Sequence, residues 1–193
     1  TLRVNTTVFF TQWQDIQLSG TVRNPITGEV LPQFVIQNSA EAEARGVELS
    51  VVYQPISNFQ VNLELGLLET EYTKVAEGSE ITLDSKFGQA PEVQYALGAQ
   101  YTASLPGGND LVMRGDYNWA SGFMRSYVPG DQSTTYTGKK WEQEAYGLLN
   151  LRFVFIHSSG KWEVAAFGTN LTDERYTTGG FFSPLLLVDD DTI

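Results

Sequence analysis

The chain has 193 residues and a formal charge of −11, from 23 acidic and 12 basic side chains. Nonspecific binding to nucleic acid is excluded by this balance, because phosphate contacts require clusters of lysine and arginine. The absence of cysteine excludes disulfides and thiolate metal sites. A membrane-spanning helix is not predicted, since it needs a run of about twenty apolar residues that the sequence lacks.

The first half of the chain alternates apolar and polar residues over long stretches. Residues 4–18 form the first predicted strand, and residues 47–53 and 59–67 form a hairpin around a short turn. In that hairpin the odd positions are apolar or aromatic, whereas the even positions include Glu48 and Glu64. Because strand side chains point alternately to opposite faces, each segment has one apolar and one polar face.

Two further hairpins follow in the second half. Residues 92–101 and 111–119 flank one turn, and residues 146–156 and 162–170 flank another. The turns are rich in glycine, asparagine and serine, which suit tight reversals of the chain. The sequence therefore predicts seven strands in all.

The connections alternate between short turns and long polar loops. The predicted loops comprise residues 19–42, 73–91 and 121–143. Such loops are unusual in compact soluble domains, whereas transmembrane barrels have short turns on one side and long loops on the other. We therefore predict an all-β fold, an antiparallel up-and-down transmembrane β-barrel segment of about seven strands, with residues 1–193 forming one unit without an internal domain boundary.

Three sequence motifs carry a resemblance to a known family. They are NSAEAEARGVEL at residues 38–49, APEVQYALG at 90–98 and FGTNLTDERY at 167–176. In these motifs the chain resembles the TonB-dependent outer-membrane receptors, and specifically the C-terminal part of their barrel. The resemblance implies a location in the bacterial outer membrane and a complete barrel of about 22 strands.

Each motif also has a physical interpretation. Ala40, Ala42, Ala44 and Gly46 place small side chains at every second position, which allows close approach on one face of a strand. Proline cannot donate a ladder hydrogen bond, so Pro91 suits the start of a strand. Asparagine bonds readily to nearby backbone, so the third motif is expected to turn its strand into a loop.

The resemblance also implies partners. These are the lipid bilayer, the receptor's own N-terminal plug domain, a small-molecule solute, and TonB with its inner-membrane complex. The plug, and the closing strand with an aromatic end that the family has, lack a counterpart in residues 1–193, so we expect a fragment. The alternative is a closed eight-stranded barrel using residues 181–188, which a central proline disfavours.

Aromatic residues are expected at both membrane boundaries, where one part of the ring is apolar and another meets water. The set predicted near the short turns is Tyr53, Phe59, Tyr101, Phe155 and Trp162. The set predicted near the long loops is Trp13, Tyr72, Trp119, Phe123 and Tyr146.

Nine residues are the candidate functional positions. Those expected to face the lumen or the plug are Glu48, Glu64, Arg114, Asp116 and Arg152. Those expected to contact solute are aromatic residues of the third predicted loop, namely Phe123, Tyr127, Tyr136 and Trp141.

The function that the resemblance implies is TonB-dependent active uptake of a scarce solute, such as an iron-siderophore complex. A passive outer-membrane channel and a soluble glycan-binding β-sandwich are the alternatives. Neither an enzyme nor a cofactor or metal site is predicted, because the sole histidine, His157, falls in a turn and no phosphate-binding glycine loop occurs.

Overall fold

The computed structural model describes residues 1–24, 26–76, 79, 81–125, 135–136, 139–140 and 142–177, with the backbone alone at 19–23, 30–34, 135–136 and 139–140. The seven long strands are β1 (Leu2–Arg23), β2 (Val30–Ile56), β3 (Phe59–Val75), β4 (Val93–Leu105), β5 (Asn109–Ala120), β10 (Tyr146–Ile156) and β11 (Glu163–Gly168). Among the described residues between β5 and β10 there are four two-residue strands, namely β6 (Phe123–Met124), β7 (Thr135–Tyr136), β8 (Lys139–Lys140) and β9 (Glu142–Gln143). A single 3₁₀ turn, Pro106–Gly108, joins β4 to β5.

The long strands form one antiparallel sheet in which every strand pairs with its neighbours in sequence. The order is β1-β2-β3-β4-β5-β10-β11, and β1 and β11 are its two edges. Such an arrangement satisfies backbone groups between strands, as membrane-spanning barrels require. The up-and-down order predicted from the sequence is confirmed. Within the described ranges, none of the helical segments has the length and apolarity to cross a membrane.

The first predicted loop is the main difference from the sequence analysis. Residues 19–42 were expected to be a loop, but β1 continues to Arg23 and β2 begins at Val30, so six residues connect them. Ladder pairing persists through this region, with Leu18 opposite Gln37. Residues 30–38 (VLPQFVIQN) do not alternate apolar and polar residues, which is why the period-two pattern did not reveal this part of the strand.

The register brings the apolar positions of successive strands onto one face. Leu49 lies opposite Leu65, Leu65 opposite Tyr95, and Tyr95 opposite Trp119. We call this side of the sheet the apolar face. It is open to the surroundings, since Val8 is 77% and Leu97 47% exposed.

The opposite side, the polar face, carries rows of hydrophilic residues. In one row Asn62, Gly98, Asp116 and Asn150 follow one another across β3, β4, β5 and β10. The alternation is less strict in β10, whose residue Val154 is buried on this face opposite Val112. The two faces therefore differ in polarity as the period-two pattern predicted, with β10 the weakest case.

Charged pairs mark the end of the sheet nearest the long connections. Beyond Val47 the apolar face carries Arg45, whose Nε and Nη2 donate to the carboxylate of Glu69 at 3.0 and 2.7 Å. Farther along, Lys74 Nζ donates to Glu41 Oε1 at 2.8 Å, and this hydrogen bond raises the pKa of Lys74. The apolar band therefore ends just beyond Val47.

The aromatic residues expected at the short turns lie on the apolar face. Phe59 contacts Tyr101 with ring centroids 6.5 Å apart, and Phe155 contacts Trp162 at 5.6 Å. Aromatic side chains therefore line the apolar face along the short-turn edge.

The second aromatic set was largely wrong. Trp13 and Tyr72 lie opposite Ala42 on the polar face, and Tyr146 lies on that face opposite Ala120. Of the set, Trp119 is on the apolar face, where it stacks on Tyr95 at 5.3 Å. For Trp13 the reason is phase, because the apolar face of β1 carries even-numbered residues such as Val8, which lies opposite Val47.

We expect Leu65→Arg to destabilise the complete barrel in lipid by about 1 to 3 kcal/mol, because it places a charge on the apolar face, which we expect to meet lipid, one row inside the end of the apolar band. The matched control is Gln94→Arg, which puts the same side chain on the polar face. Denaturant titration in lipid vesicles measures both unfolding free energies. Equal stability of Leu65→Arg and the parent would contradict the assignment of the apolar face.

Candidate functional site

The central feature of the polar face is an ion pair within β5. Arg114 Nε donates to Asp116 Oδ2 at 2.9 Å and Arg114 Nη2 to Asp116 Oδ1 at 2.5 Å. The two residues are two positions apart, so period two places both on the same face. This forked contact fixes the guanidinium of Arg114 along its own strand.

The two predicted glutamates lie on the same face, toward β2 and β3. Ser50 Oγ donates to Glu64 Oε1 at 2.9 Å across the β2–β3 ladder. Glu48 lies opposite Gly66, in the next row of that ladder. Both carboxylates therefore line one side of the polar face.

Arg152 completes the set on β10. It lies directly opposite Arg114 on one side and Phe167 on the other. Its guanidinium carbon sits 5.8 Å from the centroid of the Phe167 ring, within cation–π range. The structure therefore places all five predicted wall residues on the polar face; that they face a lumen or a plug stays a prediction.

Gly98 permits the close packing of this wall. A Cβ built there would lie 2.5 Å from Asn62 Oδ1 and 2.8 Å from Asp116 Oδ1. The missing side chain leaves room for two neighbouring polar groups in the same row. Sequence reasoning quoted this glycine within a motif but did not find this packing role.

The small residues of the first motif support an aromatic cluster. Ala42 and Ala44 are 1% and 3% exposed. Over this surface the ring of Phe87, from the β3–β4 connection, packs 4.5 Å from Tyr72 and 6.1 Å from Trp13. The connection at residues 81–91 is thus anchored on the polar face of the sheet.

A cleft of about 1090 Å³ lies where β3 and β4 separate. The last β3–β4 pair is Leu67 with Val93, beyond which β3 continues to Val75 without β4 beside it. The connection at 81–92 and strand β6 approach this free part of β3. Charged and aromatic side chains lining the cleft include Arg45, Glu69, Lys86, Glu92, Phe87 and Phe123.

The four predicted solute-contact residues have different outcomes. Phe123 lies in β6 opposite Gln143, is half-buried and lines the cleft. Tyr136 lies in β7, of which the backbone is described. Tyr127 and Trp141 lie outside the described residues. The structure does bring Phe87 and Leu83 to the cleft, which the sequence analysis did not single out because loop packing has no period.

The third motif turns the chain after β11 as expected. Asn170 has φ +49°, its side-chain Oδ1 accepts from Glu174 N at 2.9 Å, and its Nδ2 donates to Glu174 O at 2.9 Å. Asn170 N in turn donates to Asn150 Oδ1 on the polar face at 2.9 Å. Tyr176 then stacks on Tyr146 at 4.4 Å.

A model of the family described as "TonB dependent receptor-like, beta-barrel" matches residues 1–171. The chain belongs to this family. The match extends from β1 through β11, so it includes every strand of the seven-stranded sheet. The alternative of a soluble β-sandwich is thereby overturned.

Two solved structures of receptors share the fold. The ferric yersiniabactin uptake receptor FyuA from Yersinia pestis superposes with a TM-score of 0.71 at 18% identity, over 94% of this chain and 24% of that one. BauA, the ferric preacinetobactin receptor from Acinetobacter baumannii, gives 0.61 at 20% identity, over 91% and 24%. The chain thus spans about a quarter of each receptor's length. The family and both neighbours are transport receptors, in agreement with the prediction that the chain is not an enzyme.

Gly46→Ala tests the close approach in the family's first motif. The new Cβ would lie 2.5 Å from Phe9 Cζ and would also meet the carbonyl oxygen of Leu67. Overpacking of this kind costs about 1 to 3 kcal/mol. Gly66→Ala is the control, since no atom lies within 4 Å of its built Cβ. Unfolding of the full-length receptor in lipid measures both, and equal stability would contradict the packing role of Gly46.

Phe87→Ala tests the anchor of the β3–β4 connection. Burial of such a ring contributes about 2 kcal/mol, so its loss should raise proteolytic cleavage within residues 81–91 about tenfold or more. The control is Leu83→Ala in the same connection, where the side chain is largely exposed. Limited proteolysis of the receptor measures the rates, and similar rates for both variants would disprove the anchor.

Proposed function

We propose that the chain forms part of the barrel wall of a bacterial outer-membrane receptor that takes up a scarce solute by TonB-dependent active transport. The observation that carries this proposal is the family match over residues 1–171. The geometry agrees with it, because an exposed apolar face suits lipid and a polar face suits a plugged lumen. Residues 1–193 would contribute the C-terminal portion of the barrel.

Because residues 1–193 would form only barrel wall, the proposed receptor needs other components for energy, for closing the lumen and for its surroundings. A wall of strands has no means of capturing energy, so the proposed energy source is the inner-membrane TonB complex acting through an N-terminal region. The plug domain of the same receptor would fill the lumen and rest on the polar face. The lipid bilayer would cover the apolar face.

A siderophore-bound iron complex is the proposed class of solute. The support is in the names of the two structural neighbours, one a ferric yersiniabactin uptake receptor and the other a ferric preacinetobactin receptor. The long connections would form part of the binding mouth. Phe123 is proposed to contact the solute, since it borders the cleft beside β3. Further proposed solute contacts are Tyr127, Tyr136 and Trp141.

The direct test is uptake of radioactive iron from a panel of ferric siderophores by cells that express the full-length receptor. We expect uptake of at least one complex, and its loss in an otherwise identical strain without TonB. Uptake that persists without TonB would favour the passive channel instead. The control is the same strain without the receptor gene.

Phe123→Leu should weaken binding of the transported complex about five- to tenfold, because it removes an aromatic contact worth about 1 kcal/mol while keeping an apolar side chain. Phe153→Leu is the matched control, since Phe153 lies on the apolar face. Fluorescence titration of the purified receptor measures both affinities. Unchanged affinity for Phe123→Leu would remove this residue from the proposed binding mouth.

A further inference from the structure

We infer that Arg152, together with Arg114 and the ring of Phe167, forms a seat for a carboxylate on the polar face of the sheet. The inference rests on the proposed function, because the carboxylate would come from the plug domain or from a solute that carries one. It concerns a binding site inside the barrel, remote from the cleft beside β3.

The first argument is the placement of two like charges. Arg114 and Arg152 are direct partners in the β5–β10 ladder, and side chains in such pairs start about 5 Å apart. Like charges directly opposite each other destabilise a sheet. Arg152 is the sole charged residue of β10, so the strand does not compensate this repulsion itself.

The second argument is that the two arginines differ in their partners. Arg114 is held by the forked contact with Asp116. Among the described residues, no carboxylate lies within ion-pair distance of Arg152, which is exposed. The guanidinium of Arg152 therefore keeps its hydrogen-bond donors available for a group outside the described strands.

The third argument is the aromatic ring beside it. Phe167, in the edge strand β11, lies on the polar face directly opposite Arg152. An arginine resting on an aromatic ring presents its remaining edge as a planar fork, which matches a carboxylate in two parallel hydrogen bonds. Gln100, opposite Arg114, adds a further donor to this row.

The height of the seat limits the sources of the carboxylate. Arg152 lies four residues from the end of β10 at the turn that contains His157, and Arg114 lies five residues from the start of β5. The row is thus closer to the short turns than to the long connections. The proposed source, a side chain of the plug or a carboxylate-bearing solute in passage, would therefore have to reach this depth of the barrel.

The first experiment measures retention of the plug in the full-length receptor. Urea is raised until pore conductance appears in planar bilayers, for the parent, Arg152→Gln, Arg152→Lys and the control Lys161→Gln in an exposed turn. If the plug supplies the carboxylate, Arg152→Gln should lower the urea midpoint by about 1 M. Arg152→Lys should recover part of this shift, and Lys161→Gln should not change it.

Heat-modified migration of the same receptors on gels reports barrel stability separately. Arg152→Gln should not lower the barrel's melting temperature, because it removes a like-charge pair. A lower plug-release midpoint with an unchanged or higher barrel melting temperature distinguishes a seat for a partner from a structural role of Arg152 in the sheet.

The second experiment identifies a diffusible carboxylate. Phenylglyoxal modifies accessible arginines, and mass spectrometry reads Arg152 in the full-length receptor with and without citrate as the probe. If Arg152 is protected from phenylglyoxal without citrate, and Arg152→Gln lowers the urea midpoint of plug release, the carboxylate belongs to the plug. If Arg152 reacts freely with phenylglyoxal, citrate prevents this reaction, and Arg152→Gln leaves the urea midpoint unchanged, the carboxylate belongs to the solute.

The proposed seat would be overturned if Arg152→Gln left the urea midpoint unchanged and Arg152 reacted freely with phenylglyoxal both with and without citrate. A barrel melting temperature that falls in parallel with the midpoint would also overturn it. These outcomes are independent of the proposed function, which stands or falls with TonB-dependent iron uptake by the parent receptor.

Discussion

The structure depends on one constraint, namely that each strand pairs with its sequence neighbours in a fixed antiparallel register. Hydrogen bonds between neighbours satisfy the backbone without help from water, which is the condition for crossing a membrane as strands. Because the side-chain period is two, a slip of one residue would exchange the faces. The apolar row that begins with Leu49 and Leu65, and the polar row that contains Asp116 and Asn150, are consequences of the same register.

The sequence predicted the sheet well where one face is apolar and the other is wet. In β3 the apolar residues Val61, Leu63 and Leu65 alternate with the polar residues Gln60, Asn62 and Glu64, so the strand and its phase could be identified directly. The region at residues 19–42 could not be read in this way. There the β1–β2 ladder continues, but residues 30–38 (VLPQFVIQN) do not alternate apolar and polar side chains, so the paired backbone leaves no period-two signal in the sequence.

The candidate site was predictable to the same extent. Every second residue of a strand lies on the same face. Once the apolar face was recognised, the alternate positions in β3 and β5, such as Glu64 and Arg114, could therefore be assigned to the polar face from the sequence. The aromatic cluster of Trp13, Tyr72 and Phe87 could not be named, because it depends on how a connection folds back onto the sheet. The small residues of the first motif were the available clue, since a buried run of alanines implies a bulky cover.

The polar face consequently has two zones that differ in what covers them. Near the long connections its small residues are covered by the chain's own aromatic rings. Nearer the short turns, Arg114 is paired with Asp116, whereas the neighbouring Arg152 has no carboxylate partner among the described residues. This is the part of the polar face where we propose that a carboxylate of the plug or of the solute binds. An ion pair that water can reach is worth little more than about 1 kcal/mol, so such a contact would orient a plug at rest and still release it when the plug is pulled.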